Sequence, residues 1–569
     1  MGDVVRRTET DERGGNPVVT RWDYDNTKGK LGTLSRVVYG KMQSVAYEYD
    51  DLLRVVGVRE TIGGEEFVTN YKYDAANREA FVTYPSGVTI QKKYSNSGCF
   101  KMMMNYDDGK MLWCSNALNA MGYITDYQVG NGLETHRQYD DKTYLLTGII
   151  TQYDDKQVQN LSYVFDGYGN LIYRTKKLGN KLSEGFSYDR FNRLVGISLN
   201  GVTTGAMEYD EYGNVISKVI DGKDVFYDAR YDGNSPYAVS SVKTDLDDLN
   251  GFRQNIVYTV FDKISSMRCG KNSLSIDYGF DHNRIRYVED LGGAQREKVY
   301  VGDCEYVTEG KDRVVYTYLK GPMGVFAVCC TDAEGKNSIY YVHKDNLESW
   351  CLITDEAANV VQKTSYDAWG NPRNDMTWSG SYNGDLLCDR GFTGHEHLTA
   401  FGIINMNGRA YDPMLSMMMS PDENIQDPDF SQNYNRYSYC YNNPLRYYDP
   451  SGEWVEWLMY GVFNGVVNVM CNRDNIDSFA EGALLFGAGF ISGCLTQGLS
   501  ECSWALQVAH FTTAMNEVSY RPRNLTLCVS ALNLVFLLVG IFIYSNGNCL
   551  AMPPPRGRRT GCRNIPRHR

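Results

Sequence analysis

The sequence has little proline and little histidine for its length, and its cysteines form no CxxC pair. Of 569 residues, 15 are Pro and 7 are His, against 55 Gly and 44 Tyr. The 15 Cys are scattered, and Cys329 and Cys330 are adjacent, which is a poor geometry for a structural bridge. We therefore expect most cysteines to be buried free thiols rather than disulfides or metal ligands, and we expect no metal or cofactor.

The N-terminus lacks an apolar stretch. The first residues, MGDVVRRTET, contain no h-region, so they are not typical of a signal peptide. Because the repetitive part of the sequence begins almost at once, we expect the chain to be a fragment or to start inside a longer array. This end of the chain therefore does not indicate a cellular location.

Positive charge is scarce in most of the chain. Residues 1–453 carry 48 Lys and Arg against 63 Asp and Glu, whereas residues 454–569 carry 9 against 6 and contain no Lys. An acidic surface repels a phosphate backbone, so nucleic acid is not an expected partner of the first part. The change in charge marks residues 454–569 as a different kind of sequence.

Turn-forming and aromatic residues are abundant, and they recur together. FDGYGNL from Phe165, YDRFNRL from Tyr188 and YDEYGNV from Tyr209 begin 23 and 21 residues apart, and a partial copy follows 22 residues later at Tyr231. Looser copies begin at Tyr24, Tyr49, Tyr73, Tyr139, Phe261, Phe280 and Tyr366. The residues before each aromatic position alternate as in a half-buried strand, Asp opens a turn, and Gly or Asn accepts a positive φ. Each unit is thus a β-hairpin that must stack on its neighbours to bury a face.

This pattern resembles the YD repeats of the Rhs family, of the C components of insecticidal toxin complexes and of teneurins. The resemblance covers residues 24–281 loosely and residues 342–454 tightly. It implies an all-β fold in which hairpins wind into a shell over residues 1–340. From about Trp22 to Tyr448 we expect strands of ~5–8 residues in consecutive antiparallel hairpins. The Tyr-Asp pairs themselves are interpreted as turn chemistry and not as sites.

A continuous signature follows the repeats. YYVHKDNLESWCLITDEAANVVQKTSYDAWGNP begins at Tyr340, FTGHEHLTAFGIINMNGRAYDPMLSMMMSPDE at Phe392, and NYNRYSYCYNNPLRYYDPSGEW at Asn433. Over residues 341–453 these strings resemble the Rhs repeat-associated core, in the form usual for Bacteroidetes-like bacteria. Two segments depart from the family pattern. Residues 346–349, NLES, stand where a version with glycine is commoner, and MLSMMMSPD stands where LGRFLSPD is commoner.

The resemblance implies that this core closes the shell and cuts its own chain just after the DPxG segment, with two carboxylates as acid and base. Asp449 in DPSGEW matches the aspartate of that segment, and Asp422 in SPDE matches a second aspartate. Arg409 in NGRAYDP matches an arginine that accompanies them. Because NIQDPDF lengthens the gap between the aspartates, Asp427 competes for the role of second carboxylate. Scission is expected within the segment Glu453, Trp454 and Val455.

Simpler interpretations compete with two of these features. The Asp-Pro pairs that begin at Asp412 and Asp449 also fit plain turn starts, since Asp-Pro favours a turn anywhere. His395 and His397 in GHEHL suggest a metal, but their spacing is not that of HExxH. We therefore favour structural packing for both histidines.

The tail has no alternating pattern, and we expect it to be hydrophobic and mainly helical. Residues 454–500 are interpreted as a glycine-rich apolar linker, in which Gly489 and Gly493 have GxxxG spacing, and residues 501–569 as a variable tail. Leu525–Tyr544 has 20 residues without a charge, enough to span a hydrocarbon core, and we expect one uninterrupted helix there. The arginines on either side favour a cytoplasmic C-terminus. The tail carries no recognisable deaminase or nuclease motif, and its Arg-rich end is typical of a disordered basic segment.

The preferred function is that of an Rhs-type polymorphic-toxin or cell-surface scaffold. In this interpretation a shell encapsulates the C-terminal segment and releases it by aspartate-dependent self-cleavage after DPSG, which is the only enzymatic activity expected. The expected partners are that segment, an immunity protein and secretion machinery, and the expected location is secreted, at the cell surface or at the membrane. One alternative is a non-enzymatic surface protein anchored through 525–544, for adhesion or carbohydrate contact. A second alternative is a membrane-active effector tail.

Overall fold

The structure of the protein is a computed structural model that describes residues 6–9, 18–25, 30–38, 41–96, 98–231, 236–244, 254–382, 384–423, 425, 430–453 and 456–457. Asp427, Trp454 and Val455 lie outside the described residues. The predicted linker and tail, with the 525–544 segment, also lie outside them, except for Glu456 and Trp457.

The first sheet of the described chain has 21 strands, and each strand pairs antiparallel with the one before it. The first ten strands are β1 (Arg6–Glu9), β2 (Val18–Asp25), β3 (Lys30–Val38), β4 (Lys41–Tyr49), β5 (Val55–Ile62), β6 (Glu65–Tyr73), β7 (Glu79–Thr83), β8 (Thr89–Tyr94), β9 (Phe100–Asn105) and β10 (Met111–Leu118). They continue as β11 (Ile124–Val129), β12 (Glu134–Tyr139), β13 (Leu146–Tyr153), β14 (Lys156–Phe165), β15 (Leu171–Lys176), β16 (Leu182–Tyr188), β17 (Leu194–Leu199), β18 (Val202–Tyr209), β19 (Val215–Ile220), β20 (Lys223–Arg230) and β21 (Ser241–Lys243).

The second sheet is a meander of 11 described strands with the same antiparallel order. Its strands are β22 (Gln254–Tyr258), β23 (Ile264–Cys269), β24 (Asn272–Tyr278), β25 (Arg284–Leu291), β26 (Ala294–Val301), β27 (Cys304–Glu309), β28 (Asp312–Gly321), β29 (Gly324–Thr331), β30 (Asn337–Lys344), β31 (Trp350–Thr354) and β32 (Val360–Lys363). The two sheets face each other, because the rings of Phe67 and Tyr306 lie 4.8 Å apart and those of Trp113 and Phe326 lie 6.2 Å apart.

The C-terminal part of the described chain consists of very short strands and tight turns. The strands are β33 (Ser365–Tyr366), β34 (Pro372–Arg373), β35 (Glu396–Leu398), β36 (Ile403–Asn405), β37 (Ala410–Asp412), β38 (Met417–Met418), β39 (Tyr447–Tyr448) and β40 (Glu456–Trp457). Short 3-10 turns lie at Leu387–Asp389, Phe392–Gly394, Thr399–Phe401, Ser431–Tyr434 and Cys440–Asn442. The predicted all-β architecture is thus confirmed over the described residues. None of the described helical turns has the length and apolar character that a bilayer crossing requires.

One turn geometry recurs at the Tyr-Asp pairs. At Asp210 the backbone closes between the Asp210 amide and the Asn214 carbonyl at 3.0 Å. One carboxylate oxygen, Oδ1, accepts the amides of Tyr212 and Asn214 at 2.9 Å, and Oδ2 accepts the Asn214 side chain at 2.8 Å. The same pattern, with Arg or Asn four residues after the aspartate, occurs at Asp50, Asp74, Asp166, Asp189, Asp355 and Asp367. The aspartate therefore satisfies amides that the turn would otherwise leave without an acceptor.

The tyrosine hydroxyls tie each hairpin to the preceding one. Tyr209 donates to the Leu194 carbonyl at 2.7 Å, and Tyr188 donates to the Leu171 carbonyl at 2.7 Å. Equivalent bonds are made by Tyr49, Tyr73, Tyr94, Tyr231, Tyr278 and Tyr366. Each accepting carbonyl lies close to the start of the previous return strand, so the phenol fixes the spacing between successive hairpins.

The two large sheets form the shell, and the described part from β33 onward is called the module. The shell and the module share one hydrophobic cluster. It joins Leu171, Leu194 and Met207 of the repeats to residues of the module such as Trp369 and Tyr411. Eight described cysteines are free thiols and Cys99 is disulfide-bonded. The free thiols are Cys114, Cys269, Cys304, Cys329, Cys330, Cys351, Cys388 and Cys440, all buried or partly buried.

Replacing Tyr209 by Phe should lower the free energy of unfolding by about 1–3 kcal/mol, because the Leu194 carbonyl then loses its donor in a buried position. Tyr212→Phe is the matched control, since Tyr212 is 59% exposed at the tip of the next turn. Its effect should stay within about 0.5 kcal/mol. Urea unfolding followed by tryptophan fluorescence measures both, and equal midpoints would contradict the role of the hydroxyl.

Candidate active site

Three short elements of the module bring Arg409, Asp422 and Asp449 together. Arg409 immediately precedes β37, Asp422 follows β38, and Asp449 follows β39. The Arg409 Nη2 atom lies 3.1 Å from Asp422 Oδ2 and 3.3 Å from Asp449 Oδ2. The two carboxylates therefore share one guanidinium nitrogen, and this contact brings their Oδ2 atoms close to each other.

The cluster is buried. Asp449 is 0% exposed, Arg409 7% and Asp422 9%. Charges out of water are tolerated when they are paired and hydrogen-bonded, and the guanidinium fork supplies several donors at once. Its other nitrogens bind backbone carbonyls, with Nε donating to Gly452 at 2.6 Å and Nη1 donating to Arg436 at 3.2 Å. Arg409 therefore connects both aspartates to the backbone beside the predicted scission segment.

Asp449 also starts a turn. Its Oδ1 atom accepts the Gly452 amide at 2.7 Å and the Ser451 amide at 3.2 Å, while Oδ2 faces Arg409. Asp449 therefore uses Oδ1 for the turn and Oδ2 for the contact with Arg409. By contrast, Oδ1 of the buried Asp412 accepts the amides of Met414 and Leu415 at 2.9 and 3.0 Å, which is turn chemistry.

The DPSG segment lies directly against the residues before β37. The Gly408 amide donates to the Ser451 carbonyl at 2.7 Å. Gly452 has φ +75°, and a Cβ atom there would lie 2.3 Å from the Met406 carbonyl oxygen and 2.8 Å from the Arg409 nitrogen. Only glycine fits this close approach of two backbones.

A small cavity of about 30 Å³ lies beside the cluster, large enough for one water molecule. Its walls include Arg409, Asp422, Glu453 and Lys263. The Lys263 Nζ atom lies 3.6 Å from Glu453 Oε1 and donates to the His282 carbonyl at 3.0 Å. Burial lowers the pKa of Lys263, although the Glu453 carboxylate opposes this shift.

Sequence reasoning did not find Lys263. It lies in FDKIS, a divergent copy of the repeat, and its position in the repeat does not distinguish it from an exposed lysine in a turn. It reaches Glu453 because β23, far away in the chain, packs beside the module. The two histidines of GHEHL also have separate partners: His395 contacts the Pro450 carbonyl at 3.2 Å, and His397 accepts the Phe392 amide at 3.0 Å. Within the described residues, no group of three His, Cys, Asp or Glu has an arrangement that could hold a metal ion.

The two departures from the family pattern occupy left-handed backbone positions. Glu348 has φ +63° and Ser416 has φ +62°, which explains why glycine is commoner in such segments. Each side chain makes a specific contact: Glu348 accepts Lys344 Nζ at 2.9 Å, and Ser416 Oγ accepts Lys218 Nζ at 2.8 Å. Lys218 is fully buried, and burial lowers its pKa to about 8.

Stacked Tyr-Asp hairpins and a closing module with a buried Arg-Asp-Asp cluster define the protein as a YD-repeat shell protein. A family model described as the teneurin YD-shell matches residues 117–445, more than half of the sequence, and the chain belongs to this family. The resemblance to Rhs and YD-repeat proteins is thereby confirmed.

Curated relatives are similar over part of the chain. The tRNA3(Ser)-specific nuclease WapA of Bacillus spizizenii is 25% identical over 287 residues, which are 48% of this chain and 12% of that protein. The tRNA nuclease WapA of Bacillus subtilis is 24% identical over 287 residues, again 48% of this chain and 12% of that protein. The match therefore spans only a small part of either relative.

Solved structures share the fold. A crystal structure of TcdB2-TccC3-Cdc42 superposes with a TM-score of 0.61 at 15% identity, covering 79% of this chain and 27% of that one. A crystal structure of TcdB2-TccC3 without its hypervariable C-terminal region gives a TM-score of 0.62 at 14% identity, with the same coverage of 79% and 27%.

Gly452→Ala should destabilise the protein more than a glycine replacement at a comparable but open position. Gly380 is the matched control, because its φ is +67° and a Cβ atom there meets nothing within 4 Å. Both variants carry the left-handed penalty of roughly 1–2 kcal/mol, and Gly452→Ala should add about 1–3 kcal/mol for the clash with the backbone of Met406 and Arg409. Thermal unfolding checks this, and equal losses of stability would argue against the close approach.

Proposed function

We propose that this chain is the shell and core of an Rhs-type polymorphic toxin or cell-surface scaffold, and that the core releases the C-terminal segment by self-cleavage after DPSG. The observation that carries the proposal is the contact of one Arg409 nitrogen with both Asp422 and Asp449, beside the Gly452 carbonyl. This cluster lies next to Glu453, where scission was expected from the sequence.

In the proposed reaction one aspartate is ionised and the other is protonated, since two carboxylates that share one guanidinium nitrogen lie close together and repel each other when both are ionised. The ionised carboxylate accepts a proton from a water molecule, and the water oxygen adds to the carbonyl carbon of the scissile peptide. The protonated partner donates its proton to the leaving nitrogen. The C–N bond then breaks and gives a new carboxyl terminus and a new amino terminus. The cavity between Asp422 and Glu453 has room for the water.

The released segment would be residues 454–569, held as cargo until cleavage. Two comparisons support this idea: the TccC3 component has a hypervariable C-terminal region, and the WapA proteins are named as tRNA nucleases. The sequence of residues 454–569 offers no nuclease or deaminase motif, so we assign no activity to the cargo. An immunity protein, secretion machinery and a secreted or surface location belong to the same proposal.

A second candidate function is adhesion at a surface, including contact with carbohydrate. It is favoured by a row of exposed aromatic side chains, one at the tip of each of three successive hairpins. Tyr168, Phe191 and Tyr212 are 73%, 44% and 59% exposed. Tips two strands apart are about 10 Å from each other, so the three side chains are spaced in a row. The guanidinium groups of Arg190 and Arg193 lie over the Phe191 ring. In this alternative the chain stays intact.

Self-cleavage is tested by expressing the full chain and its variants and measuring intact masses. The wild type should give a fragment that begins at Trp454 or Val455. Asp449→Asn should remain a single uncut chain, with cleavage slowed on the order of 100-fold or more by loss of an acid or base. Asp422→Asn and Asp427→Asn, made separately, decide which aspartate is the partner.

Asp412→Asn is the matched control for these variants. Asp412 is as buried as Asp449 and precedes a proline, and its Oδ1 atom accepts the turn amides of Met414 and Leu415. It should be cut like the wild type. If the wild type and all the variants run as the same intact chain, the core is a structural plug and the adhesion alternative gains support. If Asp412→Asn is also uncut, loss of cleavage reflects general damage to the core.

A further inference from the structure

His395 joins the FTGHEH segment to the DPSG segment. The ring is 3% exposed, and its Nε2 atom lies 3.2 Å from the Pro450 carbonyl oxygen. Its Nδ1 atom lies 2.8 Å from the Thr393 hydroxyl. A carbonyl oxygen can only accept, so Nε2 carries the proton of the neutral ring, and Nδ1 faces the Thr393 hydroxyl, which also lies 2.8 Å from the Phe392 carbonyl oxygen. The imidazole is thus a donor aimed at the residue that follows Asp449.

The loop that carries His395 is held rigidly. The Gly391 amide donates to the His395 carbonyl and the His395 amide donates to the Phe392 carbonyl, both at 3.0 Å. The Thr393 amide donates to the Ser349 hydroxyl at 3.1 Å. A chain of contacts therefore runs from the NLES segment through Thr393 and His395 to the DPSG segment. The NLES, FTGHEH and DPSG segments, which are far apart in the sequence, therefore meet along this chain of contacts.

The Pro450 carbonyl and the Ser451 amide belong to one planar peptide group. The oxygen of this group accepts from His395, while its N–H donates to Asp449 Oδ1 at 3.2 Å. Because the group is planar, turning its carbonyl away from His395 would also turn its N–H away from Asp449. A donor on the carbonyl also polarises the peptide and strengthens the N–H as a donor.

We propose that His395 is a positioning residue for self-cleavage: it clamps the Pro450–Ser451 peptide and thereby fixes the Asp449 carboxylate toward Arg409. This inference rests on the proposed function. We assign His395 no proton transfer, because its Nε2 hydrogen bond is with the Pro450 carbonyl and not with the scissile segment. Burial lowers the pKa of His395 to about 3, so the ring is neutral at physiological pH.

The test follows the rate at which newly made full-length chain is cut, in a cell-free translation pulse and chase. His395→Leu should slow cleavage on the order of 10- to 100-fold, the effect expected from a small displacement of a reacting group. His395→Gln should recover most of the rate, since its amide N–H can reach the Pro450 carbonyl. Between about pH 5 and pH 8, where an ordinary histidine would titrate, the wild type and His395→Gln should have parallel rate profiles.

His343→Leu is the matched control. His343 is 1% exposed, and its Nε2 atom contacts the Thr354 hydroxyl at 3.0 Å within the second sheet. It should be cut at the wild-type rate, and thermal unfolding of all three variants measures any general loss of stability.

The outcomes separate this inference from the proposed function. If the wild type is cut and His395→Leu is cut equally fast, the positioning role is wrong while self-cleavage stands. The role is also wrong if His395→Gln does not recover the rate, or if His343→Leu is slowed as much as His395→Leu. If the wild type is never cut, the proposed function fails and this inference fails with it.

Discussion

The fold depends on a hydrogen-bonding constraint at the hairpin tips, where backbone amides need acceptors and an aspartate carboxylate supplies them. In the repeats, Oδ1 takes two amides and Oδ2 takes the side chain four residues later, as at Asp210. Asp449 also uses Oδ1 for backbone amides, but those of the residues two and three positions later, Ser451 and Gly452, and not two and four positions later as in the repeats. Its Oδ2 contacts Arg409 of a distant segment, whereas in the repeats Oδ2 binds the side chain four residues later. The candidate site therefore combines an aspartate turn with a contact that the repeats do not make.

The residue four positions after the aspartate makes different contacts in different turns. After Asp50 it is Arg54, which stacks on the tyrosine of the next hairpin, 4.6 Å from ring to guanidinium. After Asp166 and Asp210 it is Asn, and the module binds both amides. The Asn443 side chain donates to Asn170 at 2.9 Å, and that of Asn435 donates to Asn214 at 3.1 Å. These two turns therefore give the module hydrogen-bonded anchor points on the shell.

Much of this arrangement could be predicted from the sequence, because it is built from local chemistry. The Tyr-Asp spacing was sufficient to predict the hairpins, and the core motifs identified Arg409, Asp422 and Asp449 as candidate site residues. Lys263 could not be found in this way, because its contact with Glu453 depends on how β23 packs beside the module. The hydrogen bonds from the tyrosine hydroxyls to the preceding hairpins could not be predicted either, since the spacing of a motif does not reveal which carbonyl a phenol reaches. Asp427 and the tail lie outside the described residues, so the alternatives that depend on them are open predictions.

Adjacent residues of the GHEHL segment contact different parts of the molecule. Glu396 is fully buried and contacts Lys298 and Arg284 of the second sheet. Burial alone would raise the pKa of Glu396, but the attraction of these cations outweighs burial and lowers it. Glu396 therefore stays ionised and anchors β35 to the shell. His395, the residue before it, contacts the Pro450 carbonyl. The ion pairs of the shell thus set the position of the imidazole, and through it the peptide that binds Asp449.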